Sequence, residues 1–561
     1  MTRRIGGTFV LALVFALIAG ACAQQPTGGG SPAPSGSAGV SLGGNFRFGQ
    51  GGDLAQMDPW NASDGNTLSV TRQMFETLVD FGPQDFKIGA ALATKWEPSS
   101  DGKQWTFTLR SGVKFHDGTD FNAQAVVFNF ERARNTKSPN RPTKPVDQNF
   151  DYYTTLWGGY DDDSVISKIE AKDPNTVVFT TKVAYGPFLA NVAMPVSAIL
   201  SPKSITDDKD GFMLPGSKGI AGTGPFMFKP GAWKVGESIT LEKNPTYWRK
   251  DDKGVQLPYL DKVTFRAVKD NSARIAELKA GTLEAIKDFV PGDIPTIKAD
   301  PNLVVIPRPS FNVGYVGINQ TVKPFDKLEV RKAVAMAINK QPIVTAIYGG
   351  EARVASQFLV PGMVGYDETV TDFYKYDEAG AKKLLADAGF ANGFSTELWY
   401  MPVSRPYYPD PKKVAEAFAS DLAKIGIKAD LKSEDWTQYR ADARDNKLGL
   451  WLLGWTGDNG DPDNFLWEFF RPKVTAGTDG PTQGGAWVNK AAWDLLRKGQ
   501  TETDQAKRAD IYKQVSKLVQ QDVPRIPMFH SNPPTAASKK VTGFIPHPTG
   551  GESFVLVSLS K

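Results

Sequence analysis

The sequence predicts a mixed α/β protein containing an open sheet of parallel strands, and three observations lead there. Between Ser395 and Leu453 strand and helix patterns alternate as βαβαβ, amphipathic helices of 3.6-residue period precede that run, and short alternating strands lie farther upstream. Such alternation implies parallel strands joined by right-handed crossovers.

The first elements concern export. Arg3 and Arg4 precede an apolar run from Phe9 to Ile18 that closes on Ala19, Gly20 and Ala21, the pattern of a secretory signal peptide over residues 1–21. The run is about half the roughly 20 residues a spanning helix needs. The single cysteine, Cys22, follows the small residues directly. Ala19-Gly20-Ala21-Cys22 resembles a bacterial lipobox, with alanine where a leucine usually stands, and the resemblance implies lipidation of Cys22. Residues 22–43 are rich in Gly, Ser, Pro, Ala, Gln and Thr, the composition of a flexible tether. The paired arginines suggest twin-arginine export, but Ile5-Gly6-Gly7 does not continue that signal.

The remainder is ample for several packed cores, with 41% hydrophobic, 11% aromatic and 22% charged residues. The formal charge of +4 falls by two when Arg3 and Arg4 leave, too weak a field to indicate nucleic acid.

Trp105–Leu109 alternates like a half-buried strand, and Gly112–Gly118 ends in a turn. Val126, Val127, Phe130 and Ala133 share one helical stripe. Asp326 and Glu329 read as an acidic capping box ahead of the helix carrying Val330, Ala333, Val334, Ala337 and Ile338. A second helix spans Asp377–Ala388 and stops at Gly389. Then come a strand at Ser395–Met401, a helix at Pro411–Ile425, a strand at Ile427–Lys432, a helix at Glu434–Ala443 and a buried strand at Leu448–Leu453. Ligands of such sheets bind beyond the strand carboxyl ends, and in a 2-1-3 order the first and third strands are neighbours. The loops beginning at Met401 and Gly454 occupy that position, so Arg405 and Asp458 would flank one crevice.

The chain also resembles the extracellular solute-binding proteins of peptide ABC transporters, family 5, and among them the dipeptide-binding proteins. The marks are Leu92–Glu97 with Asp101-Gly102, Leu109–Gly118, Gly222–Phe226, Val330–Ala333, Met401–Tyr407 and Gly454–Phe465. The resemblance implies a two-lobed periplasmic-binding-protein-like fold of the class II type, with discontinuous lobes joined by a hinge. Lobe I would hold 44–309 plus 530–561, and lobe II 310–529. It implies that Arg405 pairs with a peptide carboxylate and Asp458 with a peptide ammonium. Tyr407, Gly454, Trp455 and Thr456 would complete the site, with the loop carrying Gly65, Asn66 and Thr67 closing over the peptide backbone. The implied partners are a di- or tripeptide and the permease subunits of an importer, for a monomeric protein without cofactor, held at the outer face of the cell membrane by its lipid alone. Haem, glutathione or longer oligopeptides are alternative ligands on the same scaffold.

The chemistry of the two charges is consistent with that expectation. Two extended residues span roughly 7 Å, somewhat more than the ~4.8 Å between neighbouring strands, so adjacent strand-end loops can hold both termini of a dipeptide. Arginine's planar fork suits a carboxylate, and aspartate offers only acceptors, as an ammonium requires. Asp458, Asp461 and Asp463 do not keep the calcium-loop register, because Gly460 and Phe465 interrupt it; Asp461 and Asp463 read as turn residues. Catalysis finds little support. The three histidines, His116, His530 and His547, lack ligand spacing, no zinc-protease motif or phosphate loop is present, and no Gly-x-Ser-x-Gly elbow is expected to serve a peptidase.

Overall fold

The computed structural model describes residues 40–62, 64–143, 150–210, 214–371, 373–471 and 484–560. The export segment and Cys22 lie outside the described residues.

Two large sheets organise the chain. The first has seven strands, centred on Asn45–Gln50, which runs parallel to Lys262–Ala267 and to Ala285–Lys287. Near the C-terminus Pro534–Ser538 returns to this sheet, antiparallel between Ala285–Lys287 and Leu303–Pro307. Its core is aromatic: the Phe554 ring sits 5.0 Å from that of Phe46 and 5.1 Å from that of Phe48. A four-stranded antiparallel sheet packs into the same core. It includes Gln104–Leu109, whose Trp105, Phe107 and Leu109 are buried as the alternation predicts, and it is joined by the helix Ala123–Arg134.

The second sheet has six strands, ordered Ala352–Val354, Arg525–Ser531, Asn312–Ile318, Leu450–Thr456, Phe394–Trp399, Ile427–Lys432. The last three reproduce the expected 2-1-3 order, with Phe394–Trp399 parallel to both neighbours. The central strand Asn312–Ile318 is buried throughout. Val316 and Ile318 enter one core, Val313 and Tyr315 another, and in keeping with burial on both faces the strand carries no charged side chain.

Several boundaries differ from the sequence reading. The helix of Val330 spans Leu328–Ala337 with Lys327 at its N-cap and no side-chain cap, so the Asp326–Glu329 capping box does not form. The Arg331 guanidinium instead takes the carbonyls of Phe325 and Asp326. Asp377, by contrast, caps Glu378–Asp387 through the Gly380 N–H, and Gly389 beyond it adopts φ +90°, open to glycine at no steric cost.

The chain crosses between the two sheets twice, after Pro307 and after Ser531. His530 and Ser531, expected to begin the return to lobe I, still pair with Arg353 and Ala352 of the six-stranded sheet. Asn312 binds the crossings side by side. Its Nδ2 donates to the Ser531 carbonyl at 3.1 Å, while its Oδ1 accepts from the Ser531 N–H at 3.1 Å and hydroxyl at 3.0 Å.

Candidate functional site

The site is built on the ends of two neighbouring strands. Leu450–Thr456 extends three residues beyond the expected Leu453, because Gly454, Trp455 and Thr456 pair with Gly314, Val313 and Asn312. These three are therefore strand residues, and the loop proper starts at Gly457. Packing explains Gly454: a Cβ there would lie 2.2 Å from Cδ2 of Tyr407, so the Tyr407 ring rests directly on the backbone. The structure thus brings the Met401 loop and the Gly454 strand end together.

The first loop is pinned from behind. Tyr348 donates to the Tyr407 carbonyl at 2.7 Å, and the Ser531 hydroxyl to the Pro406 carbonyl at 2.7 Å. Arg405 and Tyr408 exchange backbone hydrogen bonds at 3.1 and 2.9 Å. Tyr407 is buried, and its hydroxyl pKa is pushed up by that burial, against the opposing pull of the Arg405 charge. Arg405 is exposed, with Cζ 5.1 Å from the centre of the Trp436 ring. It also lines a cavity of about 250 Å³ between the sheets, shared with Phe289 and Val290 from one side and Pro533 and Pro534 at the crossing.

In the second loop Asn464 is the organiser. Its Oδ1 accepts from the Asp458 N–H at 2.9 Å and from Trp455 Nε1 at 3.0 Å, while its Nδ2 donates to Asp458 Oδ2 at 3.0 Å. The other carboxylate oxygen accepts from the hydroxyl of Tyr152, on the helix Asp151–Trp157, at 2.8 Å. Burial raises the Asp458 pKa above the ordinary aspartate value, and these two donors oppose it. Trp455 is half-buried, its ring edge-on to Phe469 at 5.4 Å, and Thr456 is exposed.

Asp461 and Asp463 serve the loop's own structure. Asp461 takes both terminal nitrogens of buried Arg508, at 2.7 and 2.8 Å. Asp463 accepts from Tyr512 at 2.7 Å and from Gln500 at 3.0 Å, and opens the helix Asp463–Phe470.

The segment expected to be a lid has a different form. Gly65, Asn66 and Thr67 are the first turn of the helix Gly65–Thr71, with the Asp64 carboxylate accepting from the N–H groups of Asn66 and Thr67. Thr67 is buried and its hydroxyl accepts from the Ala55 N–H. Aspartate at an N-cap is a familiar helix start, and that signal was present in the sequence. Tyr152 and Asn464 were missed: Tyr152 lies 306 positions from its partner, and no local pattern marks such a pair.

A Gly-x-Ser-x-Gly pattern does occur once, at Gly39-Val40-Ser41-Leu42-Gly43. Residues 40–44 form no regular element ahead of the first strand, whereas a nucleophile elbow needs a preceding strand and a following helix. No helix among the described residues is long and apolar enough to cross a membrane.

The model of bacterial extracellular solute-binding proteins, family 5 middle, matches residues 87–477. The chain is 37% identical to Di/tripeptide-binding protein 1 of Pseudomonas aeruginosa (strain UCBPP-PA14), covering 92% of this chain and 94% of that one. It is 34% identical to Heme-binding protein A of Haemophilus influenzae, covering 87% of each. The solved structure of HbpA2 from Haemophilus parasuis superposes with a TM-score of 0.81 at 30% identity, over 92% of this chain and all of that one. Two sheets joined by two crossings and a family match across most of the chain lead to one assignment: this protein belongs to the bacterial extracellular solute-binding proteins of family 5, with their two-lobed fold.

Proposed function

We propose that this chain is the extracytoplasmic, lipid-anchored receptor of an ABC importer, which captures di- or tripeptides by both charged termini and delivers them to the permease. One observation carries the reading. Among the described residues neither Arg405 nor Asp458 has an ion-pair partner of opposite charge, although they stand beyond the ends of two neighbouring parallel strands of one sheet. Asp458 is held by neutral donors alone, and Arg405 rests against an aromatic ring. Two unneutralised charges of opposite sign suit a zwitterion, and a fixed carboxylate with neutral neighbours gains most when an ammonium arrives. Tyr407, Trp455, Thr456 and the Gly454 backbone form the surroundings. Cys22 is the anchor in this reading, and the similarity to Di/tripeptide-binding protein 1 supports the ligand class.

The similarity to Heme-binding protein A suggests haem as a second ligand. The histidines speak against an axial imidazole. Both ring nitrogens of His116 and of His547 are hydrogen-bonded, and His530 is fully buried.

The test is calorimetric titration of ligand-stripped protein with alanyl-alanine, its N-acetylated form and a pentapeptide, repeated on Arg405→Ala and Asp458→Ala. Binding of the free dipeptide alone, lost in each variant, supports the two-ended clamp. Equal binding of the acetylated peptide, or none of the dipeptide, refutes it. Visible absorbance after haem addition tests the second ligand.

A further inference from the structure

Trp436 opens the helix Trp436–Arg444 and carries two cations. Arg405 approaches its ring at 5.1 Å, and Arg440, one turn along the helix, at 5.8 Å. Two guanidinium groups within reach of one indole repel each other unless an anion lies between or beside them. Among the described residues neither arginine makes an ion pair, and both are exposed; Asp288 and Glu351, which line the same cavity as Arg405, pair with Arg308 and Lys298 instead. The helix's own carboxylates are occupied elsewhere. Asp435 accepts from the N–H groups of Thr437 and Gln438 as the N-cap, and Asp442 accepts from Gln438 Nε2 and Lys447 Nζ. The charge of Arg440 reaches the Arg405 loop, since both arginines pull down the Tyr407 hydroxyl pKa that burial raises.

We propose that Arg440 is a specificity residue: with Arg405 engaged by the peptide α-carboxylate, Arg440 receives a second negative charge at the same end, so the site favours peptides ending in aspartate or glutamate. This rests on the assignment of Arg405 to the ligand carboxylate. A C-terminal acidic residue carries its two carboxylates a few ångströms apart, and the two guanidinium groups, 5.1 and 5.8 Å from one ring centre, are gathered by Trp436 at one end of the proposed site. Exposed guanidinium groups are screened by salt, so the preference is modest and shrinks as ionic strength rises.

The experiment is calorimetric titration with alanyl-glutamate, its isostere alanyl-glutamine, and alanyl-lysine, on the wild type, Arg440→Gln, Arg440→Glu and Arg405→Ala. The readout is the ratio of affinities within each protein, which a general loss of folding does not change. In the wild type glutamate should bind about two- to fivefold tighter than glutamine at low salt, the size expected of one exposed charge pair. The ratio should fall to about one in Arg440→Gln and turn toward lysine in Arg440→Glu. A wild-type ratio of one, or a preference that survives Arg440→Gln, overturns the proposal. If the dipeptides bind through Arg405 while the ratio is one, only the role of Arg440 falls. If none binds, or Arg405→Ala changes nothing, the clamp falls with it.

Discussion

Tyr152 donates its hydroxyl to Asp458 Oδ1 at 2.8 Å, joining the helix Asp151–Trp157 to the loop that leaves the six-stranded sheet. The bond runs beside a second one, from Asn459 Nδ2 to Asn191 Oδ1 at 2.6 Å. Both tie the Asp458 loop to the half of the molecule built on the aromatic core. Tyr152 therefore sets the electrostatics of a carboxylate to which it is not close in sequence.

Removing that hydroxyl should be visible in the pH dependence of binding. An ammonium ligand requires ionised Asp458, so affinity is full above the carboxyl pKa and is lost as pH falls through it. Burial has already moved that pKa upward, so the loss begins at a higher pH than for an ordinary aspartate. Tyr152→Phe deletes a donor to the charged form and should move it higher still, at a cost of about 1.5–3 kcal/mol in the ionised state. Calorimetry of alanyl-alanine across pH checks this; coincident profiles for variant and wild type would count against it.

Asp463 should make the protein less stable as pH rises. Burial and the nearby Asp461 charge push its pKa from 3.8 up to about 6. A raised folded-state value means that the contribution is fully present below the unfolded value, near 3.8, and is lost as pH rises through about 6. The loss is on the order of 2–3 kcal/mol. Asp463→Asn should flatten the stability profile over this window, measured by urea denaturation as the difference between variant and wild type.

Arg508 presents the opposite case. Its two nitrogens satisfy Asp461 in a fully buried pair, so Arg508→Met should leave an uncompensated buried carboxylate and cost about 3–5 kcal/mol. Denaturant midpoints measure it. Replacing Asp461 by Asn in the same variant should recover part of the loss, because the stranded charge is then gone.

Gly454→Ala should act through Tyr407. The added methyl would meet the ring at 2.2 Å, so either the Met401 loop or the strand end must shift, at about 1–3 kcal/mol of overpacking. Dipeptide affinity should fall in the same variant even though glycine contributes no side chain to a ligand, and Tyr407→Ala in the Gly454→Ala background should relieve the strain.

Much of the second lobe was legible because its strands and helices obey local rules. Ile427–Lys432 has the bounds read from the sequence, and Pro411–Lys424 and Glu378–Asp387 differ by a residue or so. Phe394–Trp399 falls in its expected place between two parallel partners. What failed depends on partners distant in sequence. Gly454-Trp455-Thr456 looks like a turn until Asn312–Gly314 is placed across it. Asp326 was a plausible cap until Arg331 claimed the carbonyls beside it. For the site, strand ends made Arg405 and Asp458 candidates, whereas Tyr152, Asn464 and Arg440 acquire meaning only through contacts that folding creates.

The paired crossings at Asn312 and Ser531 form a flat strap, two chains wide and stitched across by three hydrogen bonds. A single thread can swivel, but a strap bends across its width and resists torsion. The halves it joins can then part like the covers of a book, whose spine returns each page to the same place. The two-point grip proposed above needs that fidelity, since a few degrees of twist would carry one point out of reach while the other still held.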